Sequence, residues 1–204
     1  MVSRTLSEIA ATAKMAARGT GCQWGLAEEA GEAARILEAH DLPGVQALAR
    51  LFDTPRNCAG CKGSEALCGL VAVARLSDRI HEIDAGEPVA FDAIAAPILL
   101  TAPLLMAARA SGRSYELRWP GACLVCQAEG LSVLKAPDAW PIIATEIMVR
   151  ATVTAASTHA ASTKSRTLRD DDWRALEVRA NATFVPESAV SRSAGAGPSD
   201  AIDD

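Results

Sequence analysis

The amino-acid sequence predicts an α+β protein: a helical N-terminal part packed on a mostly antiparallel sheet, then a C-terminal helix and a Gly-rich tail. Three observations predict this class. Apolar residues recur at helical spacing through the first quarter of the chain, strand-like alternation begins at Ser114, and three consecutive aspartates precede the last helical pattern. The 204 residues suffice for one domain, which we place at residues 1–190, with a tail at 191–204.

Three helices are predicted in the N-terminal quarter. Thr5 and Glu8 have the spacing of a capping box, which predicts a first helix to about Arg18. Residues 26–39 alternate apolar and charged positions at helical spacing, which predicts a second helix. Residues 43–52 predict a third, because proline suits the first turn of a helix.

The middle of the chain is apolar and less regular. Residues 53–63 contain proline and glycine and indicate a loop, whereas residues 67–76 are too short and too uniformly apolar for periodicity to separate helix from strand. Residues 88–91 indicate a short strand. The segment 94–110 predicts a buried helix or a pair of helices, kinked or started by one of its two prolines.

Alternation of apolar and charged residues at 114–119, followed by Pro120 and Gly121, marks the first strand of the predicted sheet. Further strands are predicted at residues 123–126, 131–134 and 149–153. The polar residues 157–169 predict an exposed loop. The three aspartates at 170–172 then supply an N-cap candidate and favourable charge for a helix that ends before Pro186.

Composition excludes several classes of partner. The formal net charge of −5 lacks the excess of Lys and Arg that neutralises phosphates, so we expect no nucleic acid. Charges interrupt the apolar residues of positions 1–14, and the uncharged stretch 93–108 is shorter than the roughly 20 residues that span a bilayer. We therefore expect a cytoplasmic location and no membrane. The expected partners are a small-molecule metabolite and, beyond it, a protein partner or a second copy of the chain.

Several segments resemble a bacterial domain family of unknown function. They are TGCQWGLAEEAG at 20–31, LSD at 76–78, APILL at 96–100 and a C-terminal stretch that contains SRSAGAG at 191–197. The resemblance runs over nearly the full length of the chain, but the end at 198–204 departs from it. It supports these segments as functional candidates and implies no reaction.

Trp24, Glu28 and Glu29 are candidate site residues at the start of the second helix. Gly21 and Gly25 would let the backbone approach a ligand closely, and either carboxylate is a candidate catalytic general base or could hold a substrate amine. The alternative is that Trp24 anchors the core and the two glutamates stabilise the N-terminus of the helix.

The tail offers a candidate anion site. Ser191 and Arg192 precede Gly195 and Gly197, whose amides are suited to an anion-binding nest, with the arginine fork on a carboxylate or phosphate. A disordered terminus is the alternative. The leading hypothesis is a small-molecule protein of catabolism, either an enzyme or an accessory subunit, that binds an anionic metabolite.

The CxxC pairs Cys58/Cys61 and Cys123/Cys126 are candidate metal ligands. Two thiolates at this spacing in a turn can converge on zinc, but a structural zinc site needs four ligands. Residues three apart in a strand point to opposite faces, which argues against the second pair. We therefore expect no cofactor and ordinary thiols. The rival hypothesis is a non-catalytic interaction module stapled by zinc.

Overall fold

A computed structural model describes residues 1–54, 66–153, 161 and 165–183. Within these residues the helices are α1 Leu6–Gly19, α2 Trp24–Ala39, α3 Gly44–Asp53, α4 Gly69–Asp78, α5 Ile80–Asp84, α6 Thr101–Ser111 and α7 Asp170–Asn181. The strands are β1 Val2–Arg4, β2 Leu67–Cys68, β3 Val89–Ala95, β4 Ser114–Trp119, β5 Ala122–Gln127, β6 Gly130–Lys135, β7 Ile143–Thr152 and β8 Arg166–Leu168. The predicted α+β class is confirmed.

The main sheet has six strands in the order β2-β3-β7-β4-β5-β6. Only β2 and β3 pair in parallel among these strands, so the prediction of a mostly antiparallel sheet is confirmed. Trp119 lies opposite Ala122, which leaves Pro120 and Gly121 as a two-residue turn. Gly121 has φ +94°, a left-handed conformation that glycine adopts without strain. A separate antiparallel ribbon joins β1 to β8.

The helices form layers on one face of the main sheet. Helix α6 packs on β4 and β5, and α4 packs on β3. Both α4 and α6 contact α2, and α2 packs against α1, which in turn contacts α7. One continuous apolar core links these layers, and small alanine side chains fill much of the contact between α1 and α2. Such side chains let helices approach closely.

The N-terminal helices form where the sequence predicts them. The Glu8 amide donates to Thr5 Oγ1 at 3.2 Å and the Thr5 amide donates to Glu8 Oε2 at 2.7 Å, which completes the predicted capping box. Helix α2 begins at Trp24, two residues before the predicted start, and α3 lies within one residue of its predicted bounds. None of the helices in the described ranges has the length and apolarity needed to cross a bilayer.

Several predicted boundaries were wrong, among them the start of β7, which begins at Ile143 and not at residue 149. Ile94 belongs to β3, where it pairs with Ala144 of β7, so the helical segment begins only at the 3-10 turn Pro97–Leu100 and continues as α6. Residues 166–168 of the predicted loop form β8. The aspartates of α7 occupy its first turn, and Arg169 is the N-cap. For β3 and β8 the partner strand is distant in sequence, so local periodicity gave no signal of the pairing.

Candidate functional site

The predicted site residues Glu28 and Glu29 lie in an open groove of about 530 Å³ between α1 and α2. Helix α2 supplies the acidic residues of the groove, α1 supplies Lys14 and small side chains, and α6 contributes Met106. The lining residues are Ser7, Ala10, Ala11, Lys14, Glu28, Glu29, Gly31, Glu32, Arg35 and Met106. The groove is therefore built mainly from the first two helices.

Gly31 sets the distance between these two helices. A Cβ atom at this position would lie 2.8 Å from the Ala10 carbonyl oxygen and 3.2 Å from Lys14 Cβ. Both distances are shorter than ordinary van der Waals contact, and the first is to backbone, which cannot rotate away. Glycine is thus required for the close approach that brings Lys14 of α1 over the acidic residues of α2.

Most charges in the groove are paired. Lys14 Nζ donates to Glu28 Oε1 at 2.5 Å, across the two helices. Arg35 forms a two-pronged pair with Glu32, with distances of 2.9 Å from Nε and 2.5 Å from Nη2. This hydrogen bonding lowers the pKa of Glu32. Two of the three groove carboxylates are therefore paired with a cation.

Glu29 differs from its neighbours. Its side chain is half-buried, and it forms no hydrogen bond or ion pair with the residues that the structure describes. Burial, followed by the negative charge of Glu32, raises the pKa of Glu29. A carboxylate in this state can take up a proton near neutral pH more readily than an ordinary glutamate, and it can hold a cationic group without first breaking an ion pair.

Trp24 lies on the surface beside the groove. Its side chain is 57% exposed, so it is not the core anchor that the alternative interpretation required. The Arg18 guanidinium carbon lies 4.5 Å from the ring centroid and Lys14 Nζ lies 5.5 Å from it. Lys14 thus contacts both Trp24 and Glu28, and a cationic and aromatic surface adjoins the acidic groove.

Cys123 and Cys126 lie on β5 but on opposite faces of the sheet. Cys126 is buried beneath α6, where its thiol lies 3.9 Å from the Thr101 carbonyl oxygen, and burial strongly raises its pKa. Cys123 is half-buried on the other face, opposite Arg118 of β4. The two thiols do not converge on one point. Within the described ranges no group of three or more His, Cys, Asp or Glu side chains could hold a metal ion.

The remaining predicted site residues lie outside the described residues. They are Cys58 and Cys61 of the first CxxC pair, and Ser191, Arg192, Gly195 and Gly197 of the tail. The predicted tail at 191–204 lies outside them as well.

Sequence reasoning did not single out Lys14, the residue that links α1 to the groove. Glu32 and Arg35 entered the sequence analysis only as charged positions of the predicted second helix, residues 26–39. Their spacing of three residues is a local signal for an ion pair, and it could have predicted that Glu32 is paired. No local signal connects Lys14 with Glu28, because the two residues lie on different helices.

Comparison with known proteins finds a family match over part of the chain and no activity. Residues 4–86 match the family described as "Protein of unknown function (DUF3726)". This range includes the predicted segments at 20–31 and 76–78 and all groove residues except Met106; the resembling segments at 96–100 and 191–197 lie beyond it. The predicted resemblance to a family without an assigned function is confirmed over residues 4–86. No curated protein and no solved structure matches the chain.

Proposed function

The matched family has no assigned activity. We propose that this is a cytoplasmic protein of small-molecule catabolism that binds an anionic metabolite in the groove between α1 and α2. It acts as an enzyme or as an accessory subunit of one. The observation that carries the proposal is Glu29, a half-buried carboxylate with a raised pKa and no partner among the described residues, in a groove whose other carboxylates are paired.

The distribution of charge supports a ligand with an anionic group at one end and an ammonium group or an acidic hydrogen at the other. Three carboxylates line the groove and repel a bare anion, whereas Lys14 and Arg18 lie over Trp24 beside it. An anionic group therefore fits best at Trp24, and an ammonium or an acidic hydrogen fits best at Glu29. Amino acids are the simplest metabolites with this arrangement.

The role of Glu29 follows from its carboxylate, which has no partner among the residues that the structure describes. In a binding protein it holds the ligand's ammonium group by a charge-assisted hydrogen bond. In an enzyme it acts as the general base, because a raised pKa brings a carboxyl group closer to the pH at which it exchanges protons efficiently. Glu28 acts with Lys14, which it fixes in place over the groove.

The Gly-rich tail completes the proposed site. The Arg192 fork and the amides at Gly195 and Gly197 would hold the anionic end of the ligand beside Trp24. We expect truncation after Val190 to abolish ligand binding with little change in melting temperature, because the deleted residues include few large apolar side chains. A truncated protein that binds as tightly as the full chain would remove the tail from the site.

Calorimetric titration with a panel of amino acids tests the groove. Propionate and ethylamine serve as probes that carry only one of the two charged groups. We expect at least one amino acid to bind more tightly than either probe, and Glu29→Gln to lose about 1.5–3 kcal/mol of its binding free energy, roughly 10- to 150-fold in Kd.

Glu87→Gln is the matched control, since Glu87 is an exposed glutamate far from the groove in sequence. It should bind as the wild type does. Glu28→Gln should also weaken binding, since it releases Lys14. Equal affinities for wild type and Glu29→Gln, or no saturable binding of any amino acid by the wild type, would contradict the proposal.

The rival hypothesis is a non-catalytic interaction module that a structural zinc ion stabilises, with Cys58, Cys61 and further cysteines as ligands. Elemental analysis of the purified protein distinguishes the two functions. Stoichiometric zinc that is lost in the Cys58→Ser/Cys61→Ser double variant, together with a large fall in melting temperature, would favour the module. An unchanged melting temperature in the double variant is the result we expect.

A further inference from the structure

A second cleft lies on the face of the main sheet opposite α6, beside the β4–β5 turn. It has a volume of about 410 Å³, and its functional side chains come from four neighbouring strands. We call it the outer-face cleft. The charged or nucleophilic residues that line it are Glu116, Arg118, Cys123, Lys135, Glu146 and Arg150.

Two cations flank a thiol in this cleft. Arg118 of β4 lies directly opposite Cys123 of β5, and Cys123 lies directly opposite Lys135 of β6. Adjacent strands are about 4.8 Å apart, so the backbones at Arg118 and Lys135 are separated by roughly 10 Å, with Cys123 midway. Two long side chains can bridge that distance from both sides onto one small group.

The carboxylates of the cleft do not neutralise these two cations. Glu116 is buried and is occupied by Arg150, whose Nε and Nη2 donate to its two oxygens at 3.1 and 3.0 Å. Glu146 is exposed and forms no ion pair with a described residue. Arg118 and Lys135 likewise form no ion pair within the described part of the chain. The cleft has one more cation than carboxylate, although the chain as a whole is acidic.

We propose that the outer-face cleft binds a compact oxyanion, the phosphate or carboxylate group of a small metabolite, between Arg118 and Lys135 and above Cys123. The arginine fork can donate to two oxygens at once, and the lysine ammonium supplies a compact charge from the other side. This site is separate from the groove between α1 and α2 and does not depend on the function proposed for that groove.

The state of Cys123 suits an anion beside it. Burial, followed by the negative charge of Glu116, raises the pKa of the Cys123 thiol. The thiol is therefore neutral at physiological pH and does not repel a bound anion, as a thiolate would. It also serves as a reporter, because Cys22, Cys68 and Cys126 are buried whereas Cys123 is half-buried.

Protection of Cys123 from alkylation tests the proposal. The full chain is treated with iodoacetamide in parallel buffers of equal ionic strength that contain chloride, phosphate or acetate. Mass spectrometry then measures the rate at which the peptide that contains Cys123 is alkylated. We expect phosphate or acetate to slow the reaction saturably, about twofold at the anion concentration that half-saturates the cleft. Protection by phosphate alone or by acetate alone identifies which oxyanion the cleft prefers.

Substitutions locate the protecting anion. Arg118→Gln and Lys135→Gln should each lose the protection while keeping the wild-type melting temperature, since both side chains are exposed. Arg75→Gln is the matched control, because Arg75 is an exposed arginine on α4, outside the outer-face cleft, and should keep the protection. If Cys123 proves unreactive, calorimetric titration of inorganic phosphate into the same four proteins replaces the alkylation. Equal anion effects in all four proteins, or no effect in the wild type, would overturn the proposal.

Discussion

Replacement of Gly31 by alanine tests how α1 and α2 form the groove. The new Cβ would lie 2.8 Å from the Ala10 carbonyl oxygen and 3.2 Å from Lys14 Cβ, so α1 must move away from α2. Overpacking of this kind costs about 1–3 kcal/mol, and the oxygen belongs to backbone, which favours the upper part of that range. Alanine regains about 1 kcal/mol of helix propensity. The expected net loss is about 1–2 kcal/mol of unfolding free energy.

Gly25 gives a matched control in the same helix. A Cβ at Gly25 meets no atom within 4 Å, so Gly25→Ala gains propensity without a steric cost. It should raise the stability by up to about 1 kcal/mol, and less if the first turn of the helix contributes little. The same chemical change is therefore expected to act in opposite directions at two positions six residues apart.

Thermal unfolding by circular dichroism measures the difference. For a chain of this size 1 kcal/mol corresponds to about 2–4 °C, so Gly31→Ala should lower the melting temperature by roughly 2–8 °C. Gly25→Ala should leave it unchanged or raise it by a few degrees. Gly31→Ala should also weaken ligand binding in the groove, because it separates Lys14 from Glu28. A melting temperature for Gly31→Ala equal to or above that of Gly25→Ala would refute the packing argument.

Three further predictions concern buried and half-buried positions. Burial raises the pKa of Glu38, whose carboxylate accepts a hydrogen bond from the Val45 amide at 2.9 Å. The stability that Glu38 contributes is therefore complete below its unfolded pKa of about 4.3 and is lost as pH rises through its folded pKa. Glu38→Gln should therefore gain stability relative to wild type as pH rises from about 4.3 through the folded pKa of Glu38. Urea unfolding at a series of pH values measures this, and a constant difference between the two proteins would contradict it. The raised pKa of Glu29 predicts the same sign, so Glu29→Gln should be slightly more stable than wild type at neutral pH, and a clear loss would show that Glu29 is a structural residue. Gly69→Ala would place a Cβ 2.4 Å from the Ala95 carbonyl oxygen and should lower the unfolding free energy by about 1–3 kcal/mol; an unchanged melting temperature would refute this contact.

Helices α1, α2, α3 and α7 and the hairpin β4–β5 were predictable because their signals are local. A capping box links residues three apart, and helical or strand periodicity is complete within a few residues. The pairing of β1 with β8 joins residues more than 160 positions apart in the chain, such as Val2 and Leu168. The short apolar segment at 67–76 divides into β2 and α4 only because Leu67 pairs with Ile94 of β3. Such pairing depends on the folded chain, so no local pattern predicted it.

The sequence by itself determined the helix that carries Glu28 and Glu29, since apolar periodicity and the Pro-Gly break after the helix act within one segment. Only the tertiary structure decided which of these two carboxylates is paired among the described residues. Glu28 is paired because Gly31 lets α1 bring Lys14 within 2.5 Å, whereas Glu29 is left with a raised pKa by burial and by the charge of Glu32. Electrostatic pairing and desolvation depend on distances in space, and those distances between α1 and α2 are fixed only when the two helices pack.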